Sequence, residues 1–276
     1  MTTLSGRTLD ALPEIACLAR CPACEARFAR ARECPRCGRE LRIEEGILHA
    51  IGPLSGTNRV AAAFYDGPAW IKFRRWERLF LWFQGIGESA ARKKILRHLP
   101  GVDRARVLEV GIGDGENVAL LPESWEYFGV DLARSQLLSC RASHPKTWGR
   151  LAWSEGESLP FEDAVFDIVF TIGGINYFRD PVSALREMRR VARPGAALLA
   201  ADENPDLHEL GLGHLIGLEA IDEFALRLMG LEPEFIQMVF ETPRRAESAA
   251  REVWPGHRRI PIWNRLGYCL IDVRED

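Results

Sequence analysis

Short apolar runs alternate with amphipathic stretches between residues 105 and 202 of this 276-residue chain. The runs suit buried parallel strands, and the stretches between them carry apolar residues at helical spacing. Strands are predicted near 106–110, 126–131, 149–152, 165–171 and 197–202, and helices near 116–121, 134–142 and 181–192. This alternation predicts an α/β fold, a mostly parallel sheet with helices on both faces. Ligands bind at the carboxyl ends of such strands, so functional residues are expected at that edge.

The regular alternation stops after residue 202. Leu207–Leu231 and Arg244–Val253 are predicted to be helical, within an insertion of about residues 203–256. Ile260–Trp263 and Tyr268–Val273 then flank a short turn and predict a terminal hairpin.

Residues 53–100 have a different composition, rich in aromatic and basic side chains. Five aromatic residues recur at helical spacing and form one stripe: Trp70, Phe73, Trp76, Phe80 and Phe83. Lys72, Arg75 and Arg78 lie on another face, and the segment holds nine basic and three acidic residues, a balance of +6. The pattern is typical of a helix docked on the core with a solvated basic side. It also fits a hydrophobic cap over a substrate, or a peripheral surface that contacts anionic lipid.

A glycine-rich turn follows the first predicted strand of the core. Gly111, Gly113 and Gly115 alternate with other residues, which lets the backbone turn tightly and approach a ligand. The next strand ends at Asp131, where a carboxylate can accept hydrogen bonds from the two hydroxyls of a ribose. The pattern therefore predicts a nucleoside-containing ligand.

The two acidic residues of this turn argue against a dinucleotide. The dinucleotide fingerprint needs a third glycine where this chain has Glu116. Asp114 and Glu116 favour the positive end of a helix but would repel a pyrophosphate held there. A ligand that combines a ribose with a cationic centre fits better, and Glu109 at the strand end can face that cation.

Composition narrows the classes of protein. Hydrophobic residues make up 47%, enough for a sizeable core, and the net charge of −3 argues against a generic nucleic-acid binder. The sequence has no stretch of 18 apolar residues, so no transmembrane segment is predicted. The N-terminus carries Asp10 and Glu14 and lacks the apolar core of a signal peptide, which predicts a cytoplasmic protein.

Four of the seven cysteines form two Cys-x-x-Cys pairs: Cys21 with Cys24, and Cys34 with Cys37. This spacing predicts two knuckles that close on one tetrahedral Zn²⁺. Four thiolates leave no open position on the metal, so its role is predicted to be structural. A redox dithiol and an iron–sulfur cluster are the alternatives, and Cys17 is near enough to be a substitute ligand. Cys140 and Cys269 are expected to be small core residues.

The glycine run, Asp131 and the segments after them resemble the class I S-adenosylmethionine-dependent methyltransferases. Glu155–Phe161 resembles the segment after the third strand of that family, and Phe166–Phe170 resembles its fourth strand. Asp180–Gly195 resembles the helix and turn before the fifth strand. The match covers roughly residues 100–205, with most similarity to the subgroup that methylates small molecules, quinones included.

The resemblance implies a Rossmann-like sheet with an antiparallel C-terminal strand, and S-adenosylmethionine as cofactor. Tyr65 corresponds to a tyrosine that lies beside the cofactor in quinone methyltransferases, so it is a candidate lid. Glu155 stands where the family usually has Asp and approaches the adenine amino group. The predicted cofactor-binding residues are Tyr65, Glu109, Gly111, Gly113, Gly115, Asp131, Leu132, Glu155, Gly156 and Thr171.

The cysteine-rich module resembles zinc ribbons in front of some bacterial methyltransferases, including ones that act on ribosomal RNA. Residues 17–45 hold seven Arg and five Glu, and a Zn²⁺ with four thiolates adds −2, so the module is about neutral. Such a module gains little from phosphate contacts. The RNA family also uses a histidine as last ligand, where this chain has Cys37. A role in docking or in folding is therefore favoured for the module over RNA binding.

Three segments are predicted: a zinc-ribbon module at 1–52, a basic-aromatic connector at 53–100, and a methyltransferase domain at 101–276. The predicted reaction is methyl transfer to a small O- or C-nucleophile, lipophilic acceptors included. An RNA methyltransferase that uses the ribbon and connector to hold its substrate is the alternative. No Asn/Asp-Pro-Pro-Tyr segment follows the fourth strand, which disfavours methylation of adenine. Candidates for a base or pocket polar group are His208, His214 and Tyr177.

Overall fold

The computed structural model of the chain describes residues 13–28, 31–83, 87–204, 224, 226–228, 230–241 and 245–275. The strands are β1 (Ile43–Glu44), β2 (Ile47–His49), β3 (Arg106–Val110), β4 (Glu126–Asp131), β5 (Leu151–Trp153), β6 (Phe166–Ile172), β7 (Ala192–Glu203), β8 (Arg258–Ile262) and β9 (Gly267–Val273). The helices are α1 (Gly56–Asp66), α2 (Pro68–Phe83), α3 (Glu88–Leu96), α4 (Arg134–Ser143), α5 (Pro181–Val191), α6 (Pro233–Glu241) and α7 (Ala246–Val253).

All nine described strands belong to one sheet, in the order β1-β2-β5-β4-β3-β6-β7-β9-β8. The five pairings from β2 to β7 are parallel, and the pairings β1/β2, β7/β9 and β9/β8 are antiparallel. The predicted mostly parallel sheet with an antiparallel C-terminal strand is therefore confirmed.

Alternate strand residues face opposite sides of the sheet. In β3, Leu108 packs with α5 and α7 on one side, and Val107 packs with α3 and α4 on the other. Helices on both faces are thus confirmed as well. Cys140 and Cys269 are buried within this core, as expected.

The predicted helix at 116–121 is wrong. A single 3₁₀ turn, Val118–Leu120, stands in its place. Pro122 follows directly, and a residue before proline is pushed out of the helical region. Leu121 accordingly has extended dihedral angles (φ −104°, ψ 157°), which ends the turn.

The segment after β7 contains a helix that the pattern did not predict. Helix α6 (Pro233–Glu241) begins with a proline, a residue well suited to a first helical turn. Helix α7 starts within two residues of the predicted boundary at Arg244, and the terminal hairpin is present as β8 and β9. Most of the predicted helix Leu207–Leu231, with His208 and His214, lies outside the described residues.

The cysteine-rich module is joined to the sheet, which the sequence analysis did not foresee. Strand β2 pairs in parallel with β5, so the β1–β2 hairpin extends the edge of the core. Ile15 and Phe28 of the module are fully buried in the same cluster as Phe161. The boundary at residue 52 stays a prediction, and the module before it packs as part of the main core.

The described residues of the connector 53–100 form three helices, and the predicted aromatic stripe falls within one of them, α2. Within α2, side chains are described only up to Arg75, so most of the predicted stripe lies outside the described side chains. Among the helices that the structure describes, none is both long and apolar enough to span a bilayer.

Candidate active site and metal centre

A cavity of about 460 Å³ lies at the carboxyl ends of the parallel strands. Its walls come from the ends of β3, β4, β6 and β7, and from the connector helices and α6. Small-molecule sites of open α/β sheets occupy this position and have about this size, roughly 300–1,000 Å³. The connector therefore forms one wall of the candidate site.

The glycine turn has the backbone that its sequence predicts. Gly111, Gly113 and Gly115 have positive φ angles of 77°, 56° and 86°. Gly111 and Gly113 line the cavity, where a Cβ on Gly113 would meet no atom within 4 Å. A Cβ on Gly115 would lie 2.6 Å from Cys140 Sγ, so this glycine packs against α4 and does not face the cavity.

Asp131 is fixed by two backbone amides at the end of β4. Its Oδ2 accepts from Gly113 N and its Oδ1 from Ala133 N, both at 2.8 Å. The residue is 9% exposed and lines the cavity. Burial raises the pKa of its carboxyl to about 6, against the two amide bonds that favour the ionised form. Each oxygen keeps a lone pair for a ligand hydroxyl.

Glu109 is held at the end of β3 by two polar side chains. Asn117 donates to its Oε1 at 2.6 Å, and the Tyr127 hydroxyl donates to its Oε2. Glu109 is 1% exposed, and this burial raises its pKa to about 7. Neither partner is identified from the sequence. Period-two alternation along β4 places Tyr127 on the same face of the sheet as Gly129, which was a usable signal.

Asp114 and Glu116 are paired with arginines of the connector. Arg74 contacts Glu116, lies 3.4 Å from Asp114 and 2.9 Å from Glu88. Arg92 Nε lies 2.9 Å from Glu116 Oε2. Arg74 is 8% exposed, so this basic residue does not belong to a solvated face. The connector is thereby tied to the glycine turn by ion pairs.

The cavity remains acidic despite these pairs. Arg74 and Arg92 are the two cationic residues among its described lining. Seven carboxylates line it as well: Glu88, Glu109, Asp114, Glu116, Asp131, Asp202 and Glu203. The site therefore suits a ligand with a positive centre, as the sequence predicted for this turn.

We expect Arg74→Ala to lower the free energy of unfolding by about 1–3 kcal/mol. The loss leaves three clustered carboxylates with one guanidinium, and their partial exposure reduces the penalty below that of a fully buried pair. Arg75→Ala is the matched control, because Arg75 is the next residue of α2 and is exposed. Urea unfolding of both variants measures the difference, and equal values would show that the ion pairs contribute nothing.

Asn58 of α1 holds the loop after β5. Its Nδ2 donates to Glu155 Oε1 at 2.8 Å and to Glu157 at 3.0 Å, and its Oδ1 accepts from Arg179 N at 3.0 Å. Asn58 is buried, and sequence reasoning missed it. Glu155 is thus directed toward α1, whereas Leu132 and Gly156 line the cavity.

The far end of the cavity is aromatic. The rings of Phe64 and Phe235 stack with centroids 3.9 Å apart, and Tyr65 meets Trp70 at 4.8 Å. The ring of Tyr177 lies 6.4 Å from that of Phe235 and closes this end. We name this end the aromatic chamber, and it is lined by Phe64, Tyr65, Trp70, Phe73, Tyr177, Leu226, Leu231 and Phe235.

Two polar features lie near the ends of β6 and β7. Thr171 Oγ1 is buried and has no hydrogen-bond partner among the described residues. Asp202 accepts from Asn176 N at 3.0 Å, and Tyr268 donates to Asn176 Oδ1 at 2.7 Å. This network fixes the 3₁₀ turn Ile175–Tyr177, and with it the position of Tyr177.

The four cysteines of the two pairs converge. Cys21 and Cys37 sulfurs are 3.6 Å apart, Cys24 and Cys34 sulfurs are 3.4 Å apart, and all four lie within 4.8 Å of one another. A tetrahedral Zn²⁺ with bonds of ~2.3 Å places its sulfurs about 3.8 Å apart. The donor set therefore fits zinc, and Cys17 is not part of the cluster.

The two knuckles have the same backbone. Glu25 N donates to Cys21 O, and Gly38 N donates to Cys34 O, at 2.8 and 2.9 Å. Glu25 and Gly38 both have positive φ, 63° and 71°. This repeated turn aims both sulfurs of each pair at one point.

Comparison with known proteins adds the family. Residues 108–200 match the model of a methyltransferase domain. A phthiotriol/phenolphthiotriol dimycocerosates methyltransferase of Mycobacterium ulcerans is 34% identical over 103 residues, 36% of this chain and 38% of that protein. A 27-O-demethylrifamycin SV methyltransferase of Amycolatopsis mediterranei is 26% identical over 173 residues, 55% of this chain and 63% of that protein.

A fatty-acid O-methyltransferase of Mycolicibacterium smegmatis is 32% identical over 107 residues, 38% of this chain and 39% of that protein. The alignments span less than two thirds of each of these three relatives. Residues 108–200, which match the domain model, carry the glycine turn and Asp131. Residues 108–200 therefore belong to a class I S-adenosylmethionine-dependent methyltransferase domain.

Proposed function

We propose that this chain transfers the methyl group of S-adenosylmethionine to a small, lipophilic O- or C-nucleophile. The observation that carries the proposal is the division of one cavity into an acidic, polar end and an aromatic end. The first end suits a cationic nucleoside, and the second suits an apolar acceptor. A methyl donor and its acceptor must meet in such a shared space.

The polar end offers partners for the ribose and the sulfonium of the cofactor. Asp131 would accept the ribose hydroxyls. Thr171, also predicted to bind the cofactor, is buried at the end of β6 and does not line the cavity. The buried carboxylate of Glu109 would favour the positive sulfonium by charge. The predicted lid, Tyr65, lines the cavity among the rings of the aromatic chamber.

When bound, the cofactor would supply an already activated methyl group, which would pass in line to the acceptor while the sulfur leaves as a neutral thioether. The chain mainly has to align the acceptor and exclude water. Packed rings of the aromatic chamber exclude water, and the Asn176–Asp202–Tyr268 network holds the turn that carries Tyr177. A base is required only for an acceptor that keeps its proton at neutral pH, and His208, His214 and Tyr177 remain proposed for that role.

The names of the relatives support an apolar acceptor. One relative is a fatty-acid methyltransferase, and another carries the name of a dimycocerosate substrate. The aromatic chamber offers the surface that such molecules need, since burying apolar area contributes roughly 25 cal/mol per Å².

The RNA alternative has less support. Arg74 and Arg92 of the basic connector are engaged in ion pairs with Glu88 and Glu116. The charge count of the ribbon leaves it near neutral with a bound zinc. No described feature of the ribbon therefore favours the phosphate backbone of RNA.

We propose a structural Zn²⁺ for Cys21, Cys24, Cys34 and Cys37. Four thiolates would fill the coordination sphere, so the metal would hold the two knuckles together and take no part in the reaction.

The experiment is transfer of radiolabelled methyl from S-adenosylmethionine to an organic extract and, separately, to total RNA. We expect label in the organic phase.

In Phe235→Ser, kcat/KM for a long-chain acceptor should fall about tenfold or more, because the loss of a buried aromatic ring costs about 1.5–3 kcal/mol of apolar contact.

Phe235→Leu is the matched control, because it keeps an apolar side chain and should retain most of the rate. Cofactor affinity should stay unchanged in both variants. Label confined to RNA would reject the small-molecule proposal, and equal rates for both variants would reject the role of the aromatic chamber.

A further inference from the structure

Exposed apolar side chains lie on two segments that form one wall of the cavity. Six large hydrophobic residues are exposed among those that the structure describes, and three of them are Ile71, Phe224 and Leu228. Their exposed fractions are 62%, 62% and 59%. Ile71 belongs to α2, and the other two precede the turn at Gly230.

The two segments lie side by side. A Cβ placed on Gly230 would be 2.7 Å from Lys72 Cδ, so the turn packs on α2. The same segments direct Phe73 and Leu226 into the aromatic chamber. Their inner side therefore lines the cavity, and their outer side carries the exposed residues.

Basic charge accompanies this exposed apolar surface. Lys72 and Arg75 are exposed, and Arg75 lies one helical turn beyond Ile71 on the same side of α2. No carboxylate among the described side chains pairs with either of them. The sequence of α2 continues through Leu79–Phe83 with five consecutive apolar residues. We name Ile71, Lys72, Arg75, Phe224 and Leu228 the outer patch.

We propose that the outer patch docks on an anionic phospholipid bilayer. Ile71, Phe224 and Leu228 would enter the interface between headgroups and acyl chains, and Lys72 and Arg75 would meet the phosphates. The apolar side chains of the patch complement the acyl chains, and its basic side chains complement the phosphates. Docking here would put the aromatic chamber one helix away from the lipid phase.

The binding itself does not depend on methyl transfer, and only the delivery of an acceptor from the bilayer rests on the proposed function. This difference allows two separate readouts, vesicle binding and transfer.

The experiment is flotation of the full chain with vesicles of phosphatidylcholine, with and without phosphatidylglycerol. We expect binding to the anionic vesicles that weakens as salt is raised. The double variant Ile71→Ser/Leu228→Ser and the double variant Lys72→Glu/Arg75→Glu should each bind about tenfold or more weakly. Val102→Ser and Lys146→Glu are matched controls, since both residues are exposed elsewhere on the chain and should leave binding unchanged.

A second arm measures transfer to a detergent-dispersed acceptor and to the same acceptor in vesicles. The outer-patch variants should keep the rate of transfer to the detergent-dispersed acceptor and lose the transfer to the acceptor in vesicles. Vesicle binding without transfer to any acceptor would reject the proposed function and leave docking standing. Absent vesicle binding, equal loss in the control variants, or capture of an acidic carrier protein in place of vesicles would overturn the docking proposal.

Discussion

Replacing Asp131 with alanine should weaken the binding of S-adenosylmethionine by about hundredfold. The carboxylate is the acceptor for both ribose hydroxyls in the proposed complex, and charge-assisted hydrogen bonds contribute about 1.5–3 kcal/mol each. The variant also leaves the amides of Gly113 and Ala133 without their acceptor, which loosens the glycine turn. Calorimetric titration with the cofactor measures the loss.

Asp103→Ala is the matched control, because Asp103 is an exposed aspartate that does not line the cavity. Its affinity for the cofactor should equal that of the unchanged chain. An Asp131→Ala variant that is folded and binds the cofactor normally would show that the site lies elsewhere.

Asp131 also predicts that cofactor binding depends on pH. Its carboxyl has a pKa of about 6 when buried, and a ligand that binds the ionised form competes with the proton. Cofactor affinity should therefore fall as pH drops below about 6, approaching tenfold per pH unit. Glu109, with a pKa of about 7, should add to this fall for the cationic cofactor. Its demethylated thioether product lacks the positive charge, so it should show a shallower decline.

The second large effect is expected at the metal centre. Cys34→Ser should abolish zinc binding and lower the unfolding temperature of the whole chain by about 10 °C or more. Loss of even about 4 kcal/mol has this effect, since 1 kcal/mol shifts Tm by about 2–4 °C in a chain of this size. The unfolding would extend beyond the module because β2 pairs with β5 and Phe28 shares the core with Phe161.

Cys17→Ser is the matched control, because Cys17 lies outside the four-sulfur cluster. It should keep both the metal and the unfolding temperature. Metal analysis and thermal unfolding of the two variants, with and without a chelator, measure the effect. A Cys34→Ser variant that retains zinc, or a chelated chain that unfolds at the same temperature, would contradict a structural metal.

The local patterns predicted most of the core sheet because they report on the backbone itself. Val107–Val110 and Phe166–Phe170 lie in strands that are largely buried on both faces, so their sequences are mostly apolar, with Glu109 and Asp167 as the exceptions. The prediction of a helix at 116–121 is also wrong for a local reason, because Pro122 ends the turn before it. The signal was present in the sequence but outweighed by the expected strand–helix alternation.

For Asn58, Arg74 and Tyr127, periodicity could indicate only the face that each residue occupies, and not its contact. Each acts on a residue far away in the chain: Asn58 on Glu155, Arg74 on Glu116 and Tyr127 on Glu109. Periodicity tells which face a residue occupies on its own element, and it does not tell which element packs against that face. From the sequence, Arg74 therefore counts only as one of the nine basic residues of the connector.

The sequence by itself determined the sheet, the glycine turn, Asp131 at a strand end and the four-cysteine pattern, because each depends on residues close together or on a fixed spacing. Only the tertiary structure decided that the cysteine module extends the sheet, that the connector neutralises part of the glycine turn, and that an aromatic chamber adjoins the cofactor end. These features arise where separate elements meet, and their geometry is set by packing between residues distant in the chain.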